Sequence, residues 1–221
     1  MLTSTDLIRI VLVDDHLMLV DSLVSRFQRD TQIDVVGTAT NADDGLGMIM
    51  ETEPDVVILD VELPGRGSFD IAEEITSRLK NTKMIFLTGY ISDIFIELAL
   101  RVNAVGYLLK GEPIESLIHA IKKAARGEYC FSQAVQERLV YDQNKNRYSI
   151  QSQSMLTSLT SRQIEVLRHL ARGKSVKEVA RSMHLSEKSI DSHKYRIMHK
   201  LGIHDRVELA RYSIREGLTL P

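Results

Sequence analysis

Three aspartates stand at the ends of two apolar runs. Asp14 and Asp15 close Ile10-Val11-Leu12-Val13, and Asp60 closes Val56-Val57-Ile58-Leu59. Short, continuous apolar runs are the pattern of parallel strands buried on both faces. In an open α/β sheet the ligand crevice lies beyond the carboxyl ends of such strands, so the three carboxylates should converge. Clustered anions repel one another unless a cation sits among them, and hard oxygen donors suit Mg2+. A carboxylate beside a divalent cation is the chemistry of a phosphoryl-accepting aspartate.

The elements that must position these groups follow from periodicity. Strand-like runs at 9–13, 34–39, 55–60, 83–87 and 106–109 alternate with helix-period segments near 16–29, 42–52, 68–79, 92–102 and 114–125. Five such units predict an α/β domain over 8–127, a flavodoxin-like, doubly wound, five-stranded parallel sheet. Residues 128–156 break the pattern. Residues 134–141 suit a short helix, and 142–154, rich in Asn, Gln and Ser, have the composition of a linker.

Beyond it, 157–217 reads as a small all-α domain of four helices. Thr160-Ser-Arg-Gln163 and Ser175-Val-Lys-Glu178 are capping boxes, and Leu159 with Ile164 suits a hydrophobic staple. Ser186 can cap a third helix ending before Gly202, and Asp205-Arg-Val-Glu208 opens a fourth. A short helix, a tight turn and a longer helix have helix-turn-helix spacing.

Charge divides the chain in the same way. Residues 1–130 carry 12 Lys and Arg against 21 Asp and Glu, whereas 157–221 carry 13 against 7. The basic back half is the candidate for an anionic partner. On the third helix, Ile190, Ile197 and Leu201 should face the core. Lys188, Lys194, Arg196 and Lys200 can neutralise phosphates, Ser192 and Tyr195 suit base edges, and Asp191 and His199 share that face. His193 reads as a hydrogen-bonded packing residue.

The front half resembles the receiver domain of two-component response regulators. The resemblance rests on Asp14-Asp15-His, Asp60-Val-Glu-Leu-Pro-Gly, Thr88 and Gly-Tyr107-Leu-Leu-Lys110. It implies that Asp60 is the phosphoacceptor, served by Thr88 and Lys110, with Mg2+ held by Asp14, Asp15, Asp60 and the backbone carbonyl of Glu62. It also implies a switch in which Thr88 moves to the phosphoryl group and Tyr107 turns inward. A competing reading of Asp14 is a plain helix cap. Two departures stand out: after Pro64, where the family usually has a Gly opening the next helix, this chain has Gly67-Ser68, and the Glu62 side chain puts a carboxylate beside the acceptor.

The back half resembles the LuxR-type helix-turn-helix of the NarL/FixJ class, carried by Leu159 to Leu167, Gly173-Lys-Ser175, Glu178-Val-Ala180, Leu185 to Ile190, Lys200-Leu-Gly-Ile203 and Arg206. Together the resemblances imply a phosphorylation-controlled transcription regulator, not an enzyme. Its implied partners are a sensor histidine kinase, a two-fold promoter site in double-stranded DNA, and a second copy on activation. An alternative keeps the DNA binding but makes the receiver a phosphorylation-independent dimerisation module. A phosphohydrolase of the haloacid-dehalogenase type is disfavoured, because Glu62 stands where those enzymes carry a second Asp. With no membrane-spanning apolar run, no evident signal peptide and the single Cys130, the expected location is the cytoplasm.

Overall fold

The structure is a computed structural model that describes residues 7–89, 91–143, 147–150 and 154–219. Strands β1 (Ile8–Val13), β2 (Ile33–Ala39), β3 (Val56–Asp60), β4 (Lys83–Thr88), β5 (Gly106–Leu109) and β6 (Cys130–Phe131) form one parallel sheet in the order β2-β1-β3-β4-β5-β6. All five β3 residues are buried. Helices cover both faces of the sheet, and that is why the strands read as continuous apolar runs. Helices α1 (Leu17–Phe27) and α5 (Ile114–Ala125) pack on Ile10, Leu12 and Ile58. Helices α2 (Ala42–Thr52), α3 (Ser68–Arg78) and α4 (Asp93–Arg101) pack on Val11, Val13 and Leu59.

The sheet has six strands, one more than the sequence suggests, and the stretch read as linker accounts for it. Gly127 takes a left-handed conformation, φ 78°, that turns the chain back after α5. Cys130 N then donates to Val105 O at 2.8 Å, and Cys130 and Phe131 pair with Gly106 and Tyr107. The helix expected over 134–141 is only α6 (Gln133–Gln136). Leu139 to Tyr141 instead enter an antiparallel hairpin of β7 (Leu139–Asp142) and β8 (Arg147–Ile150). Edge-to-face rings fix this choice: Tyr148 lies 5.0 Å from both Tyr129 and Tyr141 and 5.3 Å from Phe131. Residues 144–146 and 151–153 of the expected linker lie outside the described residues.

A 3-10 turn (Met155–Ser158) leads into α7 (Ser161–Ala171), α8 (Val176–Ser182), α9 (Glu187–Leu201) and α10 (Arg206–Arg215). Both predicted capping boxes are present, Thr160 with Gln163 and Ser175 with Glu178. Ser186 and Asp205 cap α9 and α10, and Gly202 ends α9 at φ 66°. One apolar cluster runs without a break from Val11, Phe69 and Phe95 into Leu159, Leu167, Ile190 and Leu209, so the helical unit rests on the sheet domain.

That junction is largely charged. Arg162 donates to the Asp70 carboxylate and to Arg66 O, Ser161 donates to Glu73, and Arg168 donates to Val61 O. Arg168 also pairs with Glu165 at 2.7 Å, with both side chains almost wholly buried. Arg172 donates to the carboxylate of Glu62. Ser161, Glu165, Arg168 and Arg172 recur at helical spacing and form one face of α7.

Candidate phosphoacceptor site and DNA-reading helix

The chain steps outward from β1 to β2 and then crosses back past β1 to β3, so the sheet order reverses between β1 and β3, the switch point at which α/β sheets bind ligands. Asp14 follows β1, Asp60 ends β3, Thr88 ends β4 and Lys110 follows β5. Lys110 N donates to Thr88 O at 2.7 Å, which fixes where the lysine leaves the strand. Its ammonium lies 2.9 Å from Asp60 Oδ2, and 3.0 and 2.8 Å from the two Asp14 oxygens. The carboxylates of Asp14 and Asp60 are buried at the floor, while Asp15 is open to solvent.

Burial raises the Asp60 pKa from 3.8 to about 6, a shift that Lys110 opposes and Asp14 reinforces. For Lys110 burial favours the neutral amine, but hydrogen bonds to Asp14 and Asp60 outweigh it and the pKa rises. Two buried carboxylates, Asp14 and Asp60, share a single ammonium, and the exposed Asp15 stands beside them against His16. This excess of hard oxygen anions is the donor set a divalent cation fits.

Sequence reasoning missed His16 as a member of the site. Its Nδ1 lies 2.9 Å from Asp15 Oδ1 and 3.1 Å from Asp14 Oδ1. One ligand atom each from Asp14, Asp15, His16 and Asp60 lie within 4.8 Å of one another. The available signal was simply its place after the aspartate pair. Asp14 does not cap α1, whose N-cap is His16 without a side-chain cap; it accepts from His16 N at 3.0 Å in the turn before the helix and pairs with Lys110 in the pocket.

Thr88 is buried, and its hydroxyl has no hydrogen-bond partner among the described residues. A buried, unmatched hydroxyl costs free energy unless something completes it. Tyr107 is already fully buried in this structure. Phe131 is its register partner, and Ser132 N donates to its carbonyl at 3.1 Å, so the segment after α5 closes over this strand. Glu62 sends its side chain to Arg172, away from the pocket, while its backbone N–H binds Asp60.

On α9, Ile190, Ile197 and Leu201 are buried, as the helical period requires. Lys188, Asp191, Ser192, Tyr195, Arg196 and His199 are exposed, and Tyr195 keeps 73% of its surface in solvent. Lys194 is half-buried. Lys200 departs from the group, because its ammonium donates to Ser158 O at 2.8 Å and Gln163 Oε1 at 3.0 Å. His193 packs inward with a buried Nδ1 that lacks a hydrogen-bond partner among the described residues. Burial, with help from Arg162 and Arg196, lowers its pKa.

Residues 10–122 match the response regulator receiver domain, and residues 157–213 match the bacterial regulatory proteins of the luxR family. The chain belongs to the response regulators with a LuxR-type DNA-binding domain. Among curated relatives of this response regulator is the transcriptional regulatory protein YxjL of Bacillus subtilis, 30% identical over 97% of this chain and 99% of that one. Another is the oxygen regulatory protein NreC of Staphylococcus aureus, 30% identical over 95% of this chain and 98% of the relative. RcsB from Salmonella typhimurium shares the fold at a TM-score of 0.72 and 21% identity, covering 96% of this chain and 98% of its own.

Proposed function

We propose that a sensor histidine kinase transfers a phosphoryl group to Asp60 and that the loaded response regulator, dimerised or released from its docked state, binds a two-fold promoter site. An Asp60 oxygen attacks phosphorus, the phosphorus–nitrogen bond breaks, and the imidazole leaves. The observation that carries this reading is the Lys110 ammonium bridging Asp14 and Asp60. That cation can follow a phosphoryl oxygen, and the unmatched Thr88 hydroxyl can donate to another. Asp14, Asp15, Asp60 and the Glu62 carbonyl would hold Mg2+, which offsets charge on the carboxylates and on the transferring group. Tyr107, already inside, would pass the change to the paired segment Cys130–Phe131.

In the output half, Lys188, Lys194 and Arg196 would meet phosphates while Ser192 and Tyr195 read base edges. Asp191 and His199 complete that face, and Lys200 serves as an internal anchor. RcsB, similar in fold, binds promoter DNA in the presence of the phosphomimetic beryllofluoride. No helix among the described residues is long and apolar enough to cross a membrane. We assign the protein to the cytoplasm, where kinase and promoter are both within reach.

Light scattering on eluting protein, with and without beryllofluoride and Mg2+, tests the reading. A mass doubling in the wild type and none in Asp60→Asn is the expected result. The exposed face of α9 favours a second reading, a receiver that dimerises without phosphorylation. A dimer in both proteins without beryllofluoride, and DNA binding unchanged by Asp60→Asn, would select that one.

A further inference from the structure

The acidic residue beside the phosphoacceptor is the sequence feature that phosphoryl chemistry leaves unused. We propose that Glu62 is a latch through which the phosphoacceptor loop holds the DNA-binding domain, so that loading Asp60 and docking α7 oppose each other. The proposal rests on the phosphoswitch reading and adds the residues that couple its two halves.

The loop is held from both sides. On the receiver side, Glu62 N–H binds Asp60, and the next residues run on to α3. On the output side, the Glu62 carboxylate accepts from Arg172, and Arg168 Nη1 sits 3.8 Å from it. That same Nη1 donates to the carbonyl of Val61 at 3.3 Å. Two guanidinium groups of one helix therefore grip both the main chain and the side chain of the two residues that follow the acceptor. A carboxylate placed there without a role in transfer is explained by this grip.

In the docked arrangement Lys110 spans Asp14 and Asp60 at the floor of the pocket. Loading Asp60 must draw Lys110 off Asp14 and reset the 61–62 main chain, whose carbonyl and side chain α7 already holds. Whatever displaces that main chain lengthens the contacts to Arg168 and Arg172. Linkage makes the effect reciprocal: if loading weakens docking, docking weakens loading by the same factor. The latch also works without covering the reading face, since Lys188, Ser192, Tyr195 and Arg196 are exposed in the docked state. It restrains where the domain sits, which bears on pairing two output domains rather than on access to α9.

The test compares wild type, Arg172→Ala and Arg172→Lys in the full-length protein. Isothermal titration with beryllofluoride in excess Mg2+ gives the loading affinity, and small-angle X-ray scattering gives the radius of gyration of the resting protein. Arg172 is partly exposed and bonds across the junction, so its loss should leave both halves folded. The latch predicts that Arg172→Ala loads on the order of fivefold more tightly and is expanded before loading, with Arg172→Lys between it and wild type. Equal affinities and equal resting radii in proteins that all load would overturn the latch and leave the phosphoswitch standing. Failure of the wild type to load would remove the phosphoswitch reading and the latch together.

Discussion

Two clusters of buried charge sit within one fold and are built on opposite principles. Around Asp60, three carboxylates cluster about one ammonium that pairs with two of them, Asp14 and Asp60, with His16 at the rim against Asp15. At the α7 junction, Asp70, Glu165 and Glu62 each meet a guanidinium, of Arg162, Arg168 and Arg172 in turn, while Glu73 accepts from Ser161. The first set is deliberately incomplete: its acceptor titrates high, and a neighbouring hydroxyl is unmatched. The second gives Asp70, Glu165 and Glu62 a guanidinium each and joins two units. Burial raises Asp70 and Glu165 as well, and Glu165 Oε1 and Arg168 Nε lack hydrogen-bond partners among the described residues. Charge imbalance therefore separates a site that waits for a ligand from one that is mortar, although both are buried and both rest on carboxylates.

If the junction is mortar, breaking it from one side should be costly. Arg168→Met strands Glu165 in the interior and should destabilise the protein by about 3–5 kcal/mol in chemical denaturation. The double variant with Glu165→Leu should recover most of that loss. A single variant as stable as the wild type would erase the distinction between the clusters.

A steric probe is next in size. Gly67 lies at φ 95°, and a Cβ there would stand 2.8 Å from Cγ and Cδ of Glu165. Gly67→Ala should cost about 1–3 kcal/mol by combining backbone strain with a wedge under α7. The urea midpoint reports it, and a shift below the measurement error would mean that α7 is not seated on the loop.

Acidification should act in opposite directions through His169, on α7, and through Asp60, whose sign is shared by Asp70 and Glu165, both raised by burial. Burial, reinforced by Lys174, Arg168, Arg172 and Arg162, lowers the His169 pKa to about 3. As pH falls from 6.5 towards 3 the unfolded chain takes up a proton that the folded one refuses, so stability drops by about 1.4 kcal/mol per unit. Asp60 has the opposite sign: its folded pKa of about 6 exceeds the unfolded 3.8, so stability rises as pH falls between those values. Without divalent cations the two slopes offset one another between pH 6 and 4. Denaturation midpoints across that window should slope upward on acidification in His169→Gln and downward in Asp60→Asn.

Much of this was legible in the sequence because it is local. Strand-terminal aspartates, the two capping boxes and the buried stripe of α9 each need only neighbouring residues to declare themselves. The segment after Gly127 misled, because β6 has two residues and the hairpin depends on Tyr148 meeting Tyr129 and Phe131. Glu62 and Arg172 are 110 residues apart, and no periodicity links them. Lys200 reads in the sequence as an exposed cation suited to phosphate, and it is exposed in the structure too. Only the fold reveals that Ser158 and Gln163 hold it.

The short sixth strand has one more consequence, for what two copies of this chain can do to each other. An open sheet offers unpaired amides and carbonyls at both margins, an invitation to intermolecular strand addition. Here one margin ends in a strand of two residues, Cys130–Phe131, too short to template another chain. The other margin, β2, is broken by an irregularity where Ile10 pairs with Val35 but Val11 with Gly37, which twists the strand out of line. Both borders therefore carry features that hinder extension by a neighbour's backbone. On the proposed function, copies brought together on DNA are expected to recognise each other through helices and side chains rather than through shared strands.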